Sequence, residues 1–204
     1  MDGSIPTPQA APGAPLRLGV LLSGRGSNFL AIAENIRSGQ LPGVEIAVTV
    51  SNVADAPGLA AARQLGLATE TLVSKGRPRA QHDDDVIACL RQHRVDLVVL
   101  AGYMRLLSPG FLFAFPNRIL NIHPSLLPAF PGLDAQQQAF DYGVQLAGCT
   151  VHFVDEHLDH GVIILQRAIP VLPTDDAHSL ADRILAQEHI AYSEAIARVA
   201  SGQY

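Results

Sequence analysis

Asn121 and His123 are the residues whose types and spacing point most directly to chemistry. They lie two apart at the end of the apolar run RILNIH, residues 118–123, and Pro124 follows at once. Residues i and i+2 of a strand point to the same face, so both side chains can approach one ligand atom. Pro124 favours extended geometry at His123 and so directs its imidazole. An asparagine amide suits a developing oxyanion, and a histidine can transfer a proton near neutral pH.

A catalytic pair of this kind needs a carboxylate to orient or polarise it. Asp159, in the segment HLDHG of residues 157–161, is the candidate, because the tip of a hairpin can reach over the edge of a sheet. Asp155 and Glu156 are alternatives on sequence grounds. An Asn-x-His pair in a strand is more commonly a hydrogen-bonded pair of the core, so the pattern alone leaves both interpretations open.

A glycine-rich loop, SGRGSNF at residues 23–29, joins a predicted strand to a predicted helix. It has Phe29 where a dinucleotide fingerprint has its third glycine, and the next strand ends in Ser51-Asn52 without the ribose-binding acid. Two interpretations remain. The backbone N–H groups of the helix N-terminus bind a phosphate or another anion, or the loop is a tight turn with Ser27 or Asn28 as N-cap.

The histidines and acids of VHFVDEHLDHG, residues 151–161, raise the question of a metal site. The segment lacks the HExxH spacing, and His152 lies inside a predicted strand. The sequence also has no GxSxG elbow, and neither Cys89 nor Cys149 is next to a histidine. We therefore expect neither a metal nor a covalent nucleophile.

The composition argues against several classes of protein. The chain has 204 residues, 48% of them hydrophobic, which is enough for one sizeable core. A net charge of −5 does not suit a nucleic-acid-binding protein. The sequence has neither a secretory signal nor an apolar run long enough for a membrane span. The two cysteines lie outside any CxxC motif. We therefore expect a cytoplasmic protein with small-molecule substrates.

Strand and helix patterns alternate along the first half of the chain. This rhythm predicts an α/β fold with a Rossmann-like, mostly parallel open sheet, helices on both faces, and ligands beyond the carboxyl ends of the strands. The acids Asp83–Asp85 are assigned to the first turn of the third helix. The predicted strands are 16–22, 44–50, 68–73 and 95–102, and the predicted helices are 26–39, 56–66 and 79–93.

The second half has a different pattern. Residues 148–172 predict a C-terminal antiparallel hairpin with a tight turn near residues 158–161. Residues 1–15, rich in Pro, Ala and Gly, predict a flexible tail, which leaves residues 16–204 as a single domain. Residues 177–200 predict a long helix whose apolar side carries Ile184, Leu185, Ile190, Ile196 and Val199.

Five segments, in order, closely resemble the phosphoribosylglycinamide formyltransferase family, folate-dependent enzymes of purine synthesis. The resemblance covers about residues 16–200 and implies the formyltransferase fold. It implies transfer of a formyl group from the co-substrate 10-formyltetrahydrofolate to the amine of glycinamide ribonucleotide through a tetrahedral intermediate. It implies no metal and no covalent enzyme intermediate. The segments are LSGRGSN, LAGYMRLLSP, NIHPSLLPAFPG, TVHFVDEHLDHG and QEHIAYSEAI.

The resemblance also implies residue roles. Asn121 and His123 would stabilise the oxyanion, and Asp159 would accept or relay the proton of the attacking amine. His152 would have a structural role beside Asp159 or His123. The ribonucleotide would contact Gly26, Ser27, Asn28, Leu185, Ala186, Gln187 and Glu188, with Glu188 at the ribose hydroxyls. The folate would contact Arg79, Met104, Arg105, Leu106, Leu107, Asn121, Asp155, Glu156, His157, Leu158 and Asp159.

The sequence departs from the family pattern at two positions. Asp134 stands where many relatives carry a histidine, and Gln137 stands where an arginine is common.

Three alternative functions remain. A 10-formyltetrahydrofolate deformylase would use water as acceptor and usually carries an N-terminal regulatory domain. A methionyl-tRNA formyltransferase would need a further RNA-binding domain and a basic face. A non-catalytic nucleotide-binding module would not need Asn121, His123 and Asp159 together. The sequence is compatible with a monomer or a homodimer.

Overall fold

In the computed structural model, which describes residues 13–204, one seven-stranded sheet has the strand order β3-β2-β1-β4-β5-β6-β7. Most of the predicted tail, residues 1–12, lies outside the described residues. The strands are β1 (Leu16–Leu22), β2 (Val44–Ser51), β3 (Thr69–Thr71), β4 (Leu97–Leu100), β5 (Ile119–His123), β6 (Leu146–Phe153) and β7 (Ile163–Pro170). The helices are α1 (Ser27–Arg37), α2 (Pro57–Gln64), α3 (Arg79–Gln92), α4 (Pro109–Ala114), α5 (Ala135–Tyr142) and α6 (Ala177–Ser201).

The sheet is parallel from β3 to β5 and antiparallel at its other edge. β1 pairs in parallel with β2 and β4, and β4 pairs in parallel with β5. β6 runs antiparallel to both of its neighbours, β5 and β7. The predicted Rossmann-like sheet with a C-terminal antiparallel hairpin is confirmed.

Two apolar layers cover the sheet, because successive strand residues point to opposite faces. In β4, Leu97 and Val99 pack in the layer that contains α1, α2 and α6, whereas Val98 and Leu100 pack against α3 and α4. Gly19 of β1 permits the close approach of α3, since a Cβ there would lie 2.5 Å from a methyl carbon of Leu90. Within the described chain, no helix is both apolar and long enough to cross a bilayer.

Two local expectations were wrong, and two helices were not predicted. The hairpin strands are joined by residues 154–162 and not by a tight turn, because β6 ends at Phe153 and β7 begins at Ile163. The helices α4 and α5, of 6 and 8 residues, were not predicted, since so short a segment shows little periodicity. Ile190 is exposed, because the apolar stripe of α6 turns away from it and instead includes Ala191 and Tyr192.

Tyr192 of α6 fastens the helix to the carboxyl ends of two strands. Its ring is fully buried, and its hydroxyl lies 2.9 Å from the carbonyl oxygen of Leu100 and 3.0 Å from that of Leu120. The pKa of Tyr192 is raised well above its ordinary value by this burial. The phenol therefore stays neutral and serves as a donor directly beneath Asn121.

We expect Tyr192→Phe to lower the free energy of unfolding by about 1–2 kcal/mol, because two buried carbonyls lose the one hydroxyl proton that they share. Urea unfolding followed by circular dichroism measures the change. Tyr142→Phe is the matched control, since the Tyr142 side chain is exposed on α5. Equal stabilities of the two variants would contradict a role for the buried hydroxyl.

Candidate active site

A chain of hydrogen bonds links the carboxyl ends of four parallel strands. The Ser23 hydroxyl donates to Asn52 Oδ1 at 2.6 Å, and Asn52 Nδ2 donates to the Ser74 hydroxyl at 3.0 Å. The backbone N–H of Met104 donates to the Ser23 hydroxyl at 2.8 Å. The segments that follow β1, β2, β3 and β4 are thereby held in fixed relative positions at the ligand-binding edge of the sheet.

The N-terminus of α1 has no side-chain cap. Gly26 is the N-cap, in the left-handed conformation with φ 70, so neither Ser27 nor Asn28 is the N-cap as one interpretation expected. The glycine loop rests on α2, where Gly58 N–H donates to the Gly24 carbonyl at 3.0 Å. A Cβ on Gly58 would lie 3.0 Å from the carbonyls of Gly24 and Arg25. The unpaired N–H groups of the first turn of α1 are thus presented for an anion.

Asn28 and Glu188, from opposite ends of the chain, meet beside this helix terminus. Asn28 Nδ2 donates to Glu188 Oε2 at 2.8 Å, and both side chains are buried. Burial raises the pKa of Glu188 above its ordinary value of 4.5, although the Asn28 hydrogen bond and the charge of His123 act in the opposite direction. Asn28 Oδ1 is buried without a partner among residues 13–204, which leaves an acceptor for a ligand.

The other residues expected on α6 point elsewhere. Gln187 Oε1 accepts a hydrogen bond from Arg167 of β7 at 3.3 Å. Leu185 is half-buried, and Ala186 is exposed. Of the predicted ribonucleotide set on α6, Glu188 is therefore the residue that the structure places against Asn28 of α1.

The structure brings Asn121, His123 and Asp159 together. Asn121 and His123 lie on the face of β5 opposite to Leu120 and Ile122, which pack toward α6. His123 Nδ1 lies 3.4 Å from Asp159 Oδ2. The same carboxylate oxygen accepts the backbone N–H of Gly132 at 2.8 Å, which fixes its direction.

His152 lies beside Asp159, as expected, with its Nε2 3.9 Å from Asp159 Oδ1, and it also holds the amide of Asn121, which the sequence did not predict. The two residues are directly opposed in the β5–β6 ladder, and Asn121 Nδ2 donates to His152 Nε2 at 3.3 Å. His152 Nδ1 donates to the Phe153 carbonyl at 2.9 Å. Burial lowers the pKa of His152, although the Phe153 carbonyl and the Asp159 carboxylate act in the opposite direction. A neutral His152 therefore orients Asn121 and leaves its second amide N–H for a ligand.

The ring of His123 has both nitrogens engaged. Its Nε2 lies 2.8 Å from the Phe130 carbonyl, which can only accept, so Nε2 carries a proton. Nδ1 faces the Asp159 carboxylate, and a proton placed there would create an imidazolium–carboxylate pair. With Nε2 at the Phe130 carbonyl and Nδ1 at the Asp159 carboxylate, neither nitrogen is free to donate to an oxyanion, which differs from the oxyanion role expected for His123.

The segment after β4 alternates between outward and inward side chains. Met104 and Leu106 are 75% and 57% exposed. Leu107 packs against the α3–α4 layer, and the Arg105 guanidinium donates to the Arg77 carbonyl at 3.3 Å. Arg79 is exposed at the start of α3, and its guanidinium has no hydrogen bond or ion pair with another residue of 13–204. The folate contact predicted for Arg79 stays a prediction.

A buried pair on α3 anchors the end of this segment. Asp83 is 1% exposed, and its Oδ2 accepts the backbone N–H of Ser108 at 2.6 Å. His82 Nδ1 lies 3.5 Å from Asp83 Oδ1, and its Nε2 lies 2.7 Å from the Leu72 carbonyl. The assignment of Asp83 to a charge run in the first turn is wrong, because this carboxylate lies in the second turn and binds a neighbouring loop.

The loop 154–162 borders a pocket beside Asp159. Most of the residues that follow β6 on the outer side of the loop are exposed. These residues are Asp155, Glu156, His157 and Leu158. Asp134 and Gln137 lie at the start of α5 and are also exposed. The pocket has a volume of about 220 Å³ and is lined by Leu127, Pro128, Pro131, Leu158, Asp159, His160, Gly161 and Ile163.

Comparison with known proteins accounts for this arrangement. The family model described as formyl transferase matches residues 16–196. The chain belongs to the formyl transferase family. The phosphoribosylglycinamide formyltransferase of Escherichia coli K12 is 43% identical over 185 residues, which span 90% of this chain and 87% of that protein.

Two further similar proteins are a longer, trifunctional one and one with a crystal structure. A trifunctional purine biosynthetic protein of Drosophila pseudoobscura is 45% identical over 188 residues, which are 91% of this chain and 14% of that protein. The present chain thus spans about a seventh of that relative's length. The crystal structure of glycinamide ribonucleotide transformylase 1 from Symbiobacterium toebii superposes with a TM-score of 0.89 at 52% identity, covering 93% of this chain and 90% of that one.

We expect Glu188→Gln to stabilise the protein near pH 7, because the variant removes a buried charge and keeps an oxygen for Asn28. The raised pKa of Glu188 means that the folded state disfavours its ionised form. In wild type, Glu188 therefore does not lower the free energy of unfolding below its ordinary pKa of 4.5. Its destabilising effect develops as the pH rises from there through the folded-state pKa. Urea unfolding at a series of pH values tests this, with the exposed Glu70→Gln as control. The measured quantity is the unfolding free energy of Glu188→Gln minus that of wild type. A smaller difference at pH 7 than at pH 4 would contradict the expectation.

We expect Asp83→Asn to lower the free energy of unfolding by about 1–3 kcal/mol, because it weakens a buried charged acceptor. Amides of residues 104–108 should also exchange faster with deuterium, since Ser108 loses its carboxylate partner. Asp84→Asn is the matched control, because Asp84 is the next residue and is exposed. Unchanged exchange in residues 104–108 would show that the hydrogen bond between Asp83 and Ser108 does not hold this segment.

Proposed function

We propose that this chain transfers the formyl group of 10-formyltetrahydrofolate to the primary amine of glycinamide ribonucleotide, a step of de novo purine biosynthesis. The observation that carries the proposal is the meeting of Asn121, His123 and Asp159 in a member of the formyl transferase family. The relatives named as phosphoribosylglycinamide formyltransferases support the choice of acceptor.

The glycine loop and α6 supply the acceptor site in this proposal. The ribonucleotide phosphate binds the uncapped N-terminus of α1 through the backbone of Gly26, Ser27 and Asn28. Glu188 accepts hydrogen bonds from the ribose hydroxyls, and its buried setting makes such bonds strong. Leu185, Ala186 and Gln187 remain predicted neighbours of this site.

The reaction proceeds by direct attack. The amine nitrogen bonds to the formyl carbon, and the carbonyl electron pair moves to oxygen, where the remaining N–H of Asn121 binds the oxyanion. The attacking nitrogen loses its proton to Asp159, and the imidazolium form of His123 balances the negative charge. When the intermediate collapses, the bond from carbon to N10 of the folate breaks. N10 then takes up a proton, which leaves tetrahydrofolate and the formylated amide.

Electrostatic preorganisation explains how this geometry accelerates the step. The oxyanion exists only on the way to the intermediate, so donors held at its position favour the transition state over the substrate. His152 holds Asn121, and Gly132 holds Asp159, before substrate arrives. Little reorganisation is then needed as charge develops.

The remaining assignments belong to the same proposal. Residues 104–107 and 155–159 contact the folate, as does Arg79, and residues 16–204 act as one domain after a tail of residues 1–15. The protein works on small molecules in the cytoplasm as a monomer or homodimer, without nucleic acid or a catalytic metal. Two free cysteines agree with a reducing compartment.

The deciding experiment follows the ultraviolet absorbance change on loss of the formyl group from 10-formyltetrahydrofolate, with and without glycinamide ribonucleotide. A signal only with the ribonucleotide establishes the transferase. A signal without it would identify water as the acceptor, as in a deformylase. No signal in either mixture, from protein with native circular dichroism, would favour a nucleotide-binding module.

We expect Asn121→Asp to lower kcat by about a hundredfold or more, because an acceptor replaces the donor that faces the oxyanion. Asp159→Asn should also lower kcat, since it removes the proton acceptor. Steady-state kinetics with both substrates saturating measures the effect, and Asp182→Asn, at an exposed position of α6, is the control. A kcat for Asn121→Asp within about twofold of wild type would exclude the oxyanion role.

A further inference from the structure

The loop between β6 and β7 carries a cluster of metal-ligating side chains, two of which, Asp155 and His157, are also predicted folate contacts. Asp155, His157 and His160 each offer one ligand atom, and these atoms all lie within 4.8 Å of one another. We propose that these three residues form a binding site for Zn²⁺, separate from the reacting groups.

The ligand set matches the chemistry of zinc. Two imidazoles and one carboxylate, with water in the fourth position, make a common coordination shell for Zn²⁺. Bonds of about 2.1 Å place tetrahedral ligand atoms roughly 3.4 Å apart. His160 Nδ1 and Asp155 Oδ2 are already 3.1 Å apart. The ring of His157 lies beside that of His160, with centroids 5.2 Å apart, and its ligand nitrogen is within 4.8 Å of the other two ligand atoms.

The loop holds the carboxylate of the cluster in place before any metal binds. Asp155 Oδ1 accepts the backbone N–H of His157 at 2.8 Å, so the other oxygen is directed toward His160. At the base of the loop, Phe153 N–H donates to the Val162 carbonyl at 2.9 Å. An ordered supporting hydrogen bond of this kind is typical of metal-binding carboxylates.

The cluster is accessible and distinct from Asp159. The side chains of His160 and Asp155 are 72% and 38% exposed, whereas that of Asp159 is 8% exposed and turned toward His123. A zinc ion can therefore enter from solvent without displacing Asp159 from His123. The bound ion would join residues on both sides of Asp159 and so restrain the loop that carries it.

Isothermal titration calorimetry with ZnCl₂, on substrate-free protein without a histidine tag, tests the proposal. We expect one Zn²⁺ per chain, and at least about tenfold weaker binding in His157→Ala and in His160→Ala. His178→Ala is the matched control, because His178 is also exposed and pairs with a carboxylate, that of Asp182, but belongs to no such cluster. Cys89→Ser controls for the half-buried thiol and should bind as wild type does.

Hydrogen exchange gives a second, independent result. Zn²⁺ should slow exchange of the amides of residues 156–160 in wild type and leave them unchanged in His157→Ala. Wild-type affinity in both histidine variants, or a stoichiometry well below one, would overturn the proposal. Neither measurement uses folate or ribonucleotide, so failure of the zinc site and failure of the formyl transfer are distinguishable.

Discussion

The contact between His123 and Asp159 constrains much of the surrounding structure. A carboxylate that is nearly buried must be paired, because an isolated buried charge is strongly destabilising. Asp159 is paired on two sides, with His123 of β5 and with the backbone of Gly132. It also adopts a left-handed backbone conformation with φ 51. Strand β5, the turn after it and the loop after β6 must therefore fold against one another before the carboxylate is stabilised.

Gly161 shows how tightly that loop is built. A Cβ at this position would lie 1.8 Å from the carbonyl oxygen of Phe153, so only glycine allows the chain to return beside β6. On the other side of β5, Tyr192 supports the strand ends, and Glu188 of the same helix lies close enough for the charge of His123 to influence its pKa. The buried carboxylate next to Asn28 and the reacting groups on β5 thus belong to one electrostatic system.

Much of the fold followed from patterns that are local in the chain. The strands β1, β2 and β4 are mostly apolar, and a glycine follows two residues after the end of α1 and of α2, so their positions were predicted closely. The role of His152 was not, because it depends on the register of β6 against β5, which no short segment specifies. Asp83 was misassigned for a similar reason. Asp83 shares the helix face of Val86, Ile87 and Leu90, a spacing that could have marked it as the buried acid, but its partner Ser108 is set by tertiary structure. The pairing of Asn28 with Glu188, 160 residues apart, likewise depends on tertiary structure.

Asn121 and His123 lie between two sets of predicted binding residues. One set lies on α1 and α6, and the other lies on the segments after β4 and β6. Asn121 of β5 is itself a predicted folate contact, and His152 and Gly132 hold Asn121 and Asp159 without help from α1. Under the proposed function, mutations that accumulate in α1 over evolutionary time can therefore change which amine is accepted without moving the groups that act on the formyl carbon. Descendants of one ancestral donor site can in this way acquire different acceptors.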